Sequence, residues 1–153
     1  MIVYSHRGNL KGPNDKYENH PAYIDEAIQE GLPVEIDLRW SDENFFLGHD
    51  FAQYKIDKEW LFARKENILI HCKEISPILN LSNFHFFCHS NDDFVITSNG
   101  YIWIHNLNII LNSSRVIIPL MITDLIQTHC QIKSVFSICT DFPIYLKSKK
   151  YKK

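Results

Sequence analysis

No stretch of this 153-residue chain is apolar for long enough to cross a bilayer, which in a helix takes about 20 consecutive apolar residues. Neither sign of charge dominates. The formal net charge is −2, which argues against nucleic-acid binding as the main purpose. The four cysteines, Cys72, Cys88, Cys130 and Cys139, contain no C-x-x-C pair and no zinc-ligand rhythm. Three of them lie inside strand-like apolar runs, where a free thiol behaves as a small hydrophobe. Ile2-Val3-Tyr4 leaves no space for a signal peptide, and there is no internal repeat or low-complexity segment. These absences lead to the expectation of a reduced, cytoplasmic protein. They leave the oligomeric state open.

What is present is a balance of 45% hydrophobic and 22% charged residues, that of a globular domain. One domain over residues 1–146 is expected, followed by a basic tail over 147–153. That tail, Lys147-Ser148-Lys149-Lys150-Tyr151-Lys152-Lys153, reads as frayed and solvated.

Short β-branched and aromatic runs recur at 2–5, 34–40, 45–48, 67–72, 84–88, 94–97, 101–105, 116–121 and 135–139. Each has strand length and is bounded by turn-forming residues. Between them the sequence predicts helices at 21–30, 59–66, 75–81 and 123–128. The first is the clearest, with Pro21 at its start and Gly31 as its stop. Two links are too short for a parallel crossover. Ser41–Asn44 must therefore make a hairpin, and Ser98-Asn99-Gly100 reads as a second hairpin turn.

Five runs begin apolar and finish on a functional group: Tyr4-Ser5-His6-Arg7, Val34-Glu35-Ile36-Asp37, Leu69-Ile70-His71-Cys72-Lys73, Phe87-Cys88-His89 and Ile138-Cys139-Thr140-Asp141. In parallel α/β barrels the active site gathers at the C-terminal ends of the strands. The expectation is an α/β protein, a compact and incomplete TIM-type (β/α) barrel with a hairpin excursion after strand 2. Such barrels need at least ~200 residues, so helices must give way to loops. An open doubly wound sheet is the alternative.

Glu35 and Asp37 stand two apart on a strand, so both carboxylates project from one face. Two buried acids repel unless a cation compensates, and oxygen ligands suit Mg²⁺ or Ca²⁺. Alone, the pair is more often a solvated edge or a salt-bridged pair. His6-Arg7-Gly8 closes the first run, and His49-Asp50 follows Gly48. Two imidazoles make an acid/base pair, and Arg7 offers a planar fork for phosphate. Lys73 shares strand parity with His71. Phe86, Phe87, Tyr101 and Trp103 read as core rather than as a substrate platform. His89 and Asp141 stand at strand ends, with lining and structural roles equally open. His20, His85, His105 and His129 have no pairing that suggests a role.

In this order, His6-Arg7-Gly8, Glu18-Asn19, Glu35-Ile36-Asp37 and Gly48-His49-Asp50 resemble the glycerophosphodiester phosphodiesterase family, of the PLC-like phosphodiesterase superfamily. Its motifs are H-R-G, E-N-T, E-x-D and H-D. The resemblance covers residues 1–50 and thins beyond them. Ile70-His71-Cys72-Lys73 stands where the family has E-I-K, and Thr140-Asp141-Phe142-Pro143 resembles its closing T-D-x-P.

The resemblance implies a distorted TIM barrel and a divalent cation on Glu35 and Asp37, with His6 and His49 as acid and base. It places Arg7 and Lys73 on the phosphate and gives Glu18 and Asn19 a supporting role, although His20 replaces the motif's threonine. The implied activity is phosphoric diester hydrolysis of a small glycerol- or sugar-phosphate diester. His71 replaces the family's third metal carboxylate and shifts preference toward transition metals. That substitution and the short chain keep two alternatives open: a non-catalytic phosphate-binding module, or a lyase that releases a cyclic phosphate.

Overall fold

Strand alternation sorts the side chains into two separate cores, and the site lies on top of one of them. The structure is a computed structural model describing residues 1–106, 108–109, 113–121 and 135–150. Its strands are β1 (Ile2–His6), β2 (Val34–Ser41), β3 (Asn44–Leu47), β4 (Tyr54–Ile56), β5 (Ile68–Cys72), β6 (Phe86–Phe87), β7 (Phe94–Ile96), β8 (Ile102–Ile104), β9 (Val116–Pro119) and β10 (Ser137–Thr140). The helices are α1 (Pro21–Gln29), α2 (Lys58–Arg64) and α3 (Pro143–Lys150), and a 3₁₀ turn covers Ser76–Asn80.

All ten described strands join one mixed sheet. Parallel pairing runs β6-β5-β2-β1-β10-β9-β8, and β7 adds antiparallel to β8. The β3–β4 hairpin pairs with the second half of β2, where Ser41 faces Asn44 across the tight turn. The ends of the curled sheet approach each other. Ser98 N donates to the Phe86 carbonyl at 2.8 Å, Phe86 N donates to Ser98 Oγ at 2.9 Å, and the Phe87 and Trp103 rings stack at 4.4 Å.

Residues paired across a ladder point to the same side of a sheet. Tyr4 pairs with Cys139, Cys139 with Pro119, Trp103 with Ile117, His71 with Phe87, and Asp37 with His71. This concave face has an apolar floor of Leu69, Phe87, Trp103, Ile117 and Cys139. The next inward positions toward the strand ends are polar. On the convex face, Ile36, Leu38, Ile70, Ile118 and Ile138 form a larger core with Ile24 and Ala27 of α1 and Leu61 of α2.

The expected incomplete TIM-type barrel is overturned. Over the described residues the molecule is a curled half-barrel made mostly of strand, with few helices. Among the described residues a helix follows only some of the strands, whereas the full barrel places one after each. Only a 3₁₀ turn separates β5 from β6, where the sequence predicted a helix over 75–81. The β7–β8 hairpin, turning at Asn99-Gly100, follows β6 where a barrel would place a helix. The predicted helix at 123–128 lies outside the described residues, as do His129 and Cys130. β4 was not anticipated. α3 runs through Lys150 and so takes up the start of the segment read as a frayed tail, whose last residues, 151–153, are also outside the described set. No helix among the described residues is long and apolar enough to cross a membrane.

α1 fixes the segment before β2. His20 caps it, accepting from Ala22 N at 3.2 Å, and Pro21 occupies its first turn. The chain leaves β1 through Arg7 and Gly8, at φ 54° and 89°. A Cβ on Gly8 would sit 3.0 Å from the Tyr23 ring and 3.2 Å from Ile24 N, so glycine lets α1 pack against this bend.

Candidate active site

β2 delivers Glu35 and Asp37 to the concave face, and His71 arrives from β5 directly opposite Asp37. All three are buried. His71 Nδ1 lies 3.1 Å from Asp37 Oδ1 and 3.7 Å from Glu35 Oε1. Asn19 holds Asp37 from the loop before α1: its Nδ2 donates to Asp37 Oδ2 at 2.9 Å, and its Oδ1 accepts from Asp37 N at 2.9 Å. To do so Asn19 adopts a left-handed backbone, φ 62°, a conformation asparagine tolerates better than most residues.

His6 enters from the end of β1. Its Nδ1 is 2.7 Å from Asp141 Oδ1, and its Nε2 is 3.9 Å from Glu35 Oε2. Asn9 ties this corner together, donating to Glu18 Oε1 at 2.8 Å and to Asp141 Oδ1 at 2.7 Å. Arg7 NH1 donates to Glu18 Oε2 at 2.9 Å, and Arg7 Nε lies 2.8 Å from Asp37 Oδ2. Arg7 was expected to grip phosphate, yet two of its nitrogens already face carboxylates. Lys73 Nζ stands 3.5 Å from Asp37 Oδ1.

His49 is held differently. Gly48 has φ 147°, and a Cβ there would collide with the Phe51 carbonyl. Arg39 braces the turn, with Nε donating to the Gly48 carbonyl at 3.1 Å and its terminal nitrogen donating to the His49 carbonyl. His49 Nδ1 is 2.7 Å from Asp50 Oδ1. Both histidines thus have a carboxylate on Nδ1, the arrangement that leaves Nε2 to exchange a proton.

Burial and electrostatics pull these groups apart. Burial, then the neighbouring Asp37 charge, push the Glu35 carboxyl up to about 7. Burial opposes ionisation of Asp37 too, but His71, Arg7 and Lys73 outweigh it and hold that carboxyl well below the usual range. Burial takes the His71 imidazole down to about 4 despite Asp37. His6 is also desolvated, yet the bond to Asp141 and the charge of Glu35 leave it raised.

The residues converge on a cavity of about 610 Å³ lined by His6, Arg7, Glu35, His49, His71 and Lys73 on one wall. On the other wall, sequence reasoning left His89 open between a lining and a structural role, read Trp103 as core and gave His105 no role. His89, Trp103 and His105 line it, with Ser90, Pro119 and Met121. The His89 ring stacks on His71 at 4.6 Å and meets His105 at 4.4 Å. His105 suggested no role because its ring partner, His89, lies in the segment after β6, far from it in sequence. Asn9 was missed as well; its position directly after His6-Arg7-Gly8, at a functional strand end, was the available signal.

A divalent cation fits the Glu35, Asp37 and His71 cluster. One ligand atom from each lies within 4.8 Å of the others. Glu35 Oε2, Asp37 Oδ1 and His71 Nε2 are buried with no aligned hydrogen-bond partner among the described residues, and buried polar atoms are seldom left so. Two carboxylates with a neutral imidazole also fit a transition metal. A second group, His6, Glu18 and Asp141, is equally close, but its oxygens are taken by Asn9, Arg7 and His6. It is a hydrogen-bond network. No protein-family model, no curated protein and no solved structure matches the chain.

Proposed function

We propose that the chain is a metal-assisted phosphodiesterase for small phosphodiesters. The observation that carries this reading is the sharing of one cavity by two carboxylate-backed histidines, a buried acid–imidazole cluster and Lys73. Glu35, Asp37 and His71 would hold a divalent cation, which when bound supplies Lewis-acid polarisation of a phosphoryl oxygen. Asn19 fixes Asp37 for that task, and Glu18 fixes Arg7. Lys73 and the remaining nitrogen of Arg7 offset the phosphate charge.

His6 and His49 exchange the proton. One takes it from the attacking hydroxyl as the new P–O bond forms; the other protonates the ester oxygen as the old P–O bond breaks. Asp141 and Asp50 stabilise the imidazolium that each step creates. The attacking hydroxyl is water in a direct hydrolysis, or a neighbouring hydroxyl of the substrate if a cyclic phosphate forms first.

The test is turnover of a phosphodiester panel with Mg²⁺, Ca²⁺ and Mn²⁺. Positioned acid/base groups contribute about 10²–10⁴-fold, so His6→Ala and His49→Ala should each lose that much. Equal rates in wild type and both variants would sink the catalytic assignment. Phosphate binding without turnover under every metal would instead identify a non-catalytic binding module, the reading that His71 in place of a carboxylate favours. Phosphorus NMR of the product separates hydrolysis from release of a cyclic ester.

A further inference from the structure

Two histidines of the cavity, His89 and His105, stand outside the acid–imidazole cluster, and the fold fixes their placement. His89 lies in the segment after β6, and His105 directly follows β8. β7 pairs antiparallel with β8, with Phe94 opposite Ile104. Asp93 extends that register: its carbonyl accepts from His105 N at 2.8 Å and from Asn106 N at 2.9 Å. Its Oδ1 also accepts from Asn106 Nδ2 at 2.9 Å. The segment that carries His89 is thus tied to the one that carries His105, and both side chains line the cavity. His89 is half-buried and His105 is exposed, so an ion from solvent can reach them.

The two rings meet as ligands of one ion do, and not as a flat stack. His71 and His89 lie 10° from parallel, whereas His89 and His105 are tilted by 47° with centroids 4.4 Å apart. Two imidazoles on one ion, with metal–nitrogen bonds of about 2.0–2.1 Å at roughly 90–110°, place their centroids roughly 4.5–5 Å apart. A small turn of the exposed His105 side chain reaches that separation. His89 Nδ1 faces the Ser90 carbonyl at 3.4 Å. A proton donated there leaves Nε2 free as a ligand, the tautomer common among metal-binding histidines. The His105 ring nitrogens have no hydrogen-bond partner among the described residues. No carboxylate belongs to this wall, so the donors are nitrogen alone, which favours Zn²⁺, Ni²⁺ or Cu²⁺ over Mg²⁺ and Ca²⁺. The Lys73 charge that acts on His89 is met by Asp37 at 3.5 Å, and Asp92 opposes it.

We propose that His89 and His105 form a second metal site, for a transition-metal ion, on the wall opposite Glu35, Asp37 and His71. Two protein ligands leave the ion open positions, which water or an anionic oxygen of the cavity's occupant completes. The acid–imidazole cluster, with two carboxylates, accepts hard ions as well; this pair does not. The site stands on its own geometry and does not depend on the phosphodiester reading.

Calorimetric titration of the full chain with Ni²⁺, and separately with Mg²⁺, tests it in phosphate-free buffer. The wild type should take up one more Ni²⁺ equivalent than His105→Ala, a change at an exposed position and so safe for folding. His105→Gln, which keeps the side chain polar, should lose the same equivalent. His85→Ala removes an exposed histidine that does not line the cavity and should keep the wild-type stoichiometry. Mg²⁺ uptake should be the same in all four proteins. Equal Ni²⁺ uptake in the wild type and the His105 variants, the same loss in His85→Ala, or Mg²⁺ uptake that depends on His105 overturns the site. Ni²⁺ uptake confined to the His105-dependent equivalent would remove the acid–imidazole cation cluster, and the metal-assisted reading with it, while leaving this site standing.

Discussion

The two walls of the cavity are held together by different forces. The acidic wall, from β1, β2, β5 and the loops after β1, is cross-linked by directed polar contacts: Asn19 makes two bonds to Asp37, Asn9 bridges Glu18 and Asp141, and Arg7 spans Glu18 and Asp37. The ring wall, from β6, β8 and β9, is held mainly by stacked faces over an apolar floor. Directed bonds fix atoms to fractions of an ångström, which proton transfer needs. Stacking fixes a plane and tolerates sliding within it. The difference predicts that damage to the ring wall costs mostly stability, whereas damage to the acidic wall costs mostly function.

The largest stability loss should follow Phe87→Ala. Phe87 is 1% exposed and its ring lies between those of His71 and Trp103. It also belongs to β6, a strand only two residues long, where the ends of the curled sheet meet. Removing a buried phenyl costs about 3–5 kcal/mol, and little here can collapse into the gap. Urea denaturation measures the loss, and Phe87→Leu should recover much of it. A loss below about 0.5 kcal/mol, the scale of an ordinary surface change, would show that the floor does not hold the sheet ends together.

Asn19→Ala should cost less stability, about 2–3 kcal/mol, from two buried hydrogen bonds to Asp37 and a left-handed backbone that alanine resists. Its functional cost should be larger. Residues that orient metal ligands typically govern about 10–100-fold in metal affinity, so Mn²⁺ titration should show a loss of that size. Unchanged Mn²⁺ affinity in a folded Asn19→Ala protein would detach Asn19 from the cation cluster and erase the contrast between the walls.

The same contrast explains what could be read from the sequence. The period of two along β2 puts Glu35 and Asp37 on one face without any tertiary knowledge, and the polar endings of five runs already point to one rim. The acidic wall is therefore written in short spacings. Trp103 and His105 join that rim only when β6 and β8 meet, through contacts that no local pattern encodes. The barrel expectation failed for a related reason. Polar strand ends require strands that run parallel, which this sheet has; they do not require a helix after each strand. The helix expected over 75–81, between Cys72 and Phe84, is instead a 3₁₀ turn over Ser76–Asn80.

The smallest predicted effect is in the pH dependence of the metal-free protein. Burial, then Asp37, raise Glu35 to about 7, against ~4.3 in the unfolded chain. Its folded carboxyl keeps a proton, so the stability it contributes is present at low pH and is lost as pH climbs through that interval. His71 runs the other way. Its folded value is about 4, against ~6.5 unfolded, so stability is lost as pH falls from ~6.5 toward 4. The windows overlap with opposite slopes, and the wild-type melting temperature in EDTA should change little across them. Neither shift draws its main causes from the other residue, so single variants should expose each slope. Glu35→Gln should melt at rising temperature as pH increases from about 4 to 6.5, the interval left to His71. His71→Gln should melt at falling temperature from about 4.5 to 7, the interval left to Glu35. Profiles of the same slope in the two variants would mean that the buried acid and imidazole do not hold the opposite, mutually neutral states that make this pocket ready for a cation.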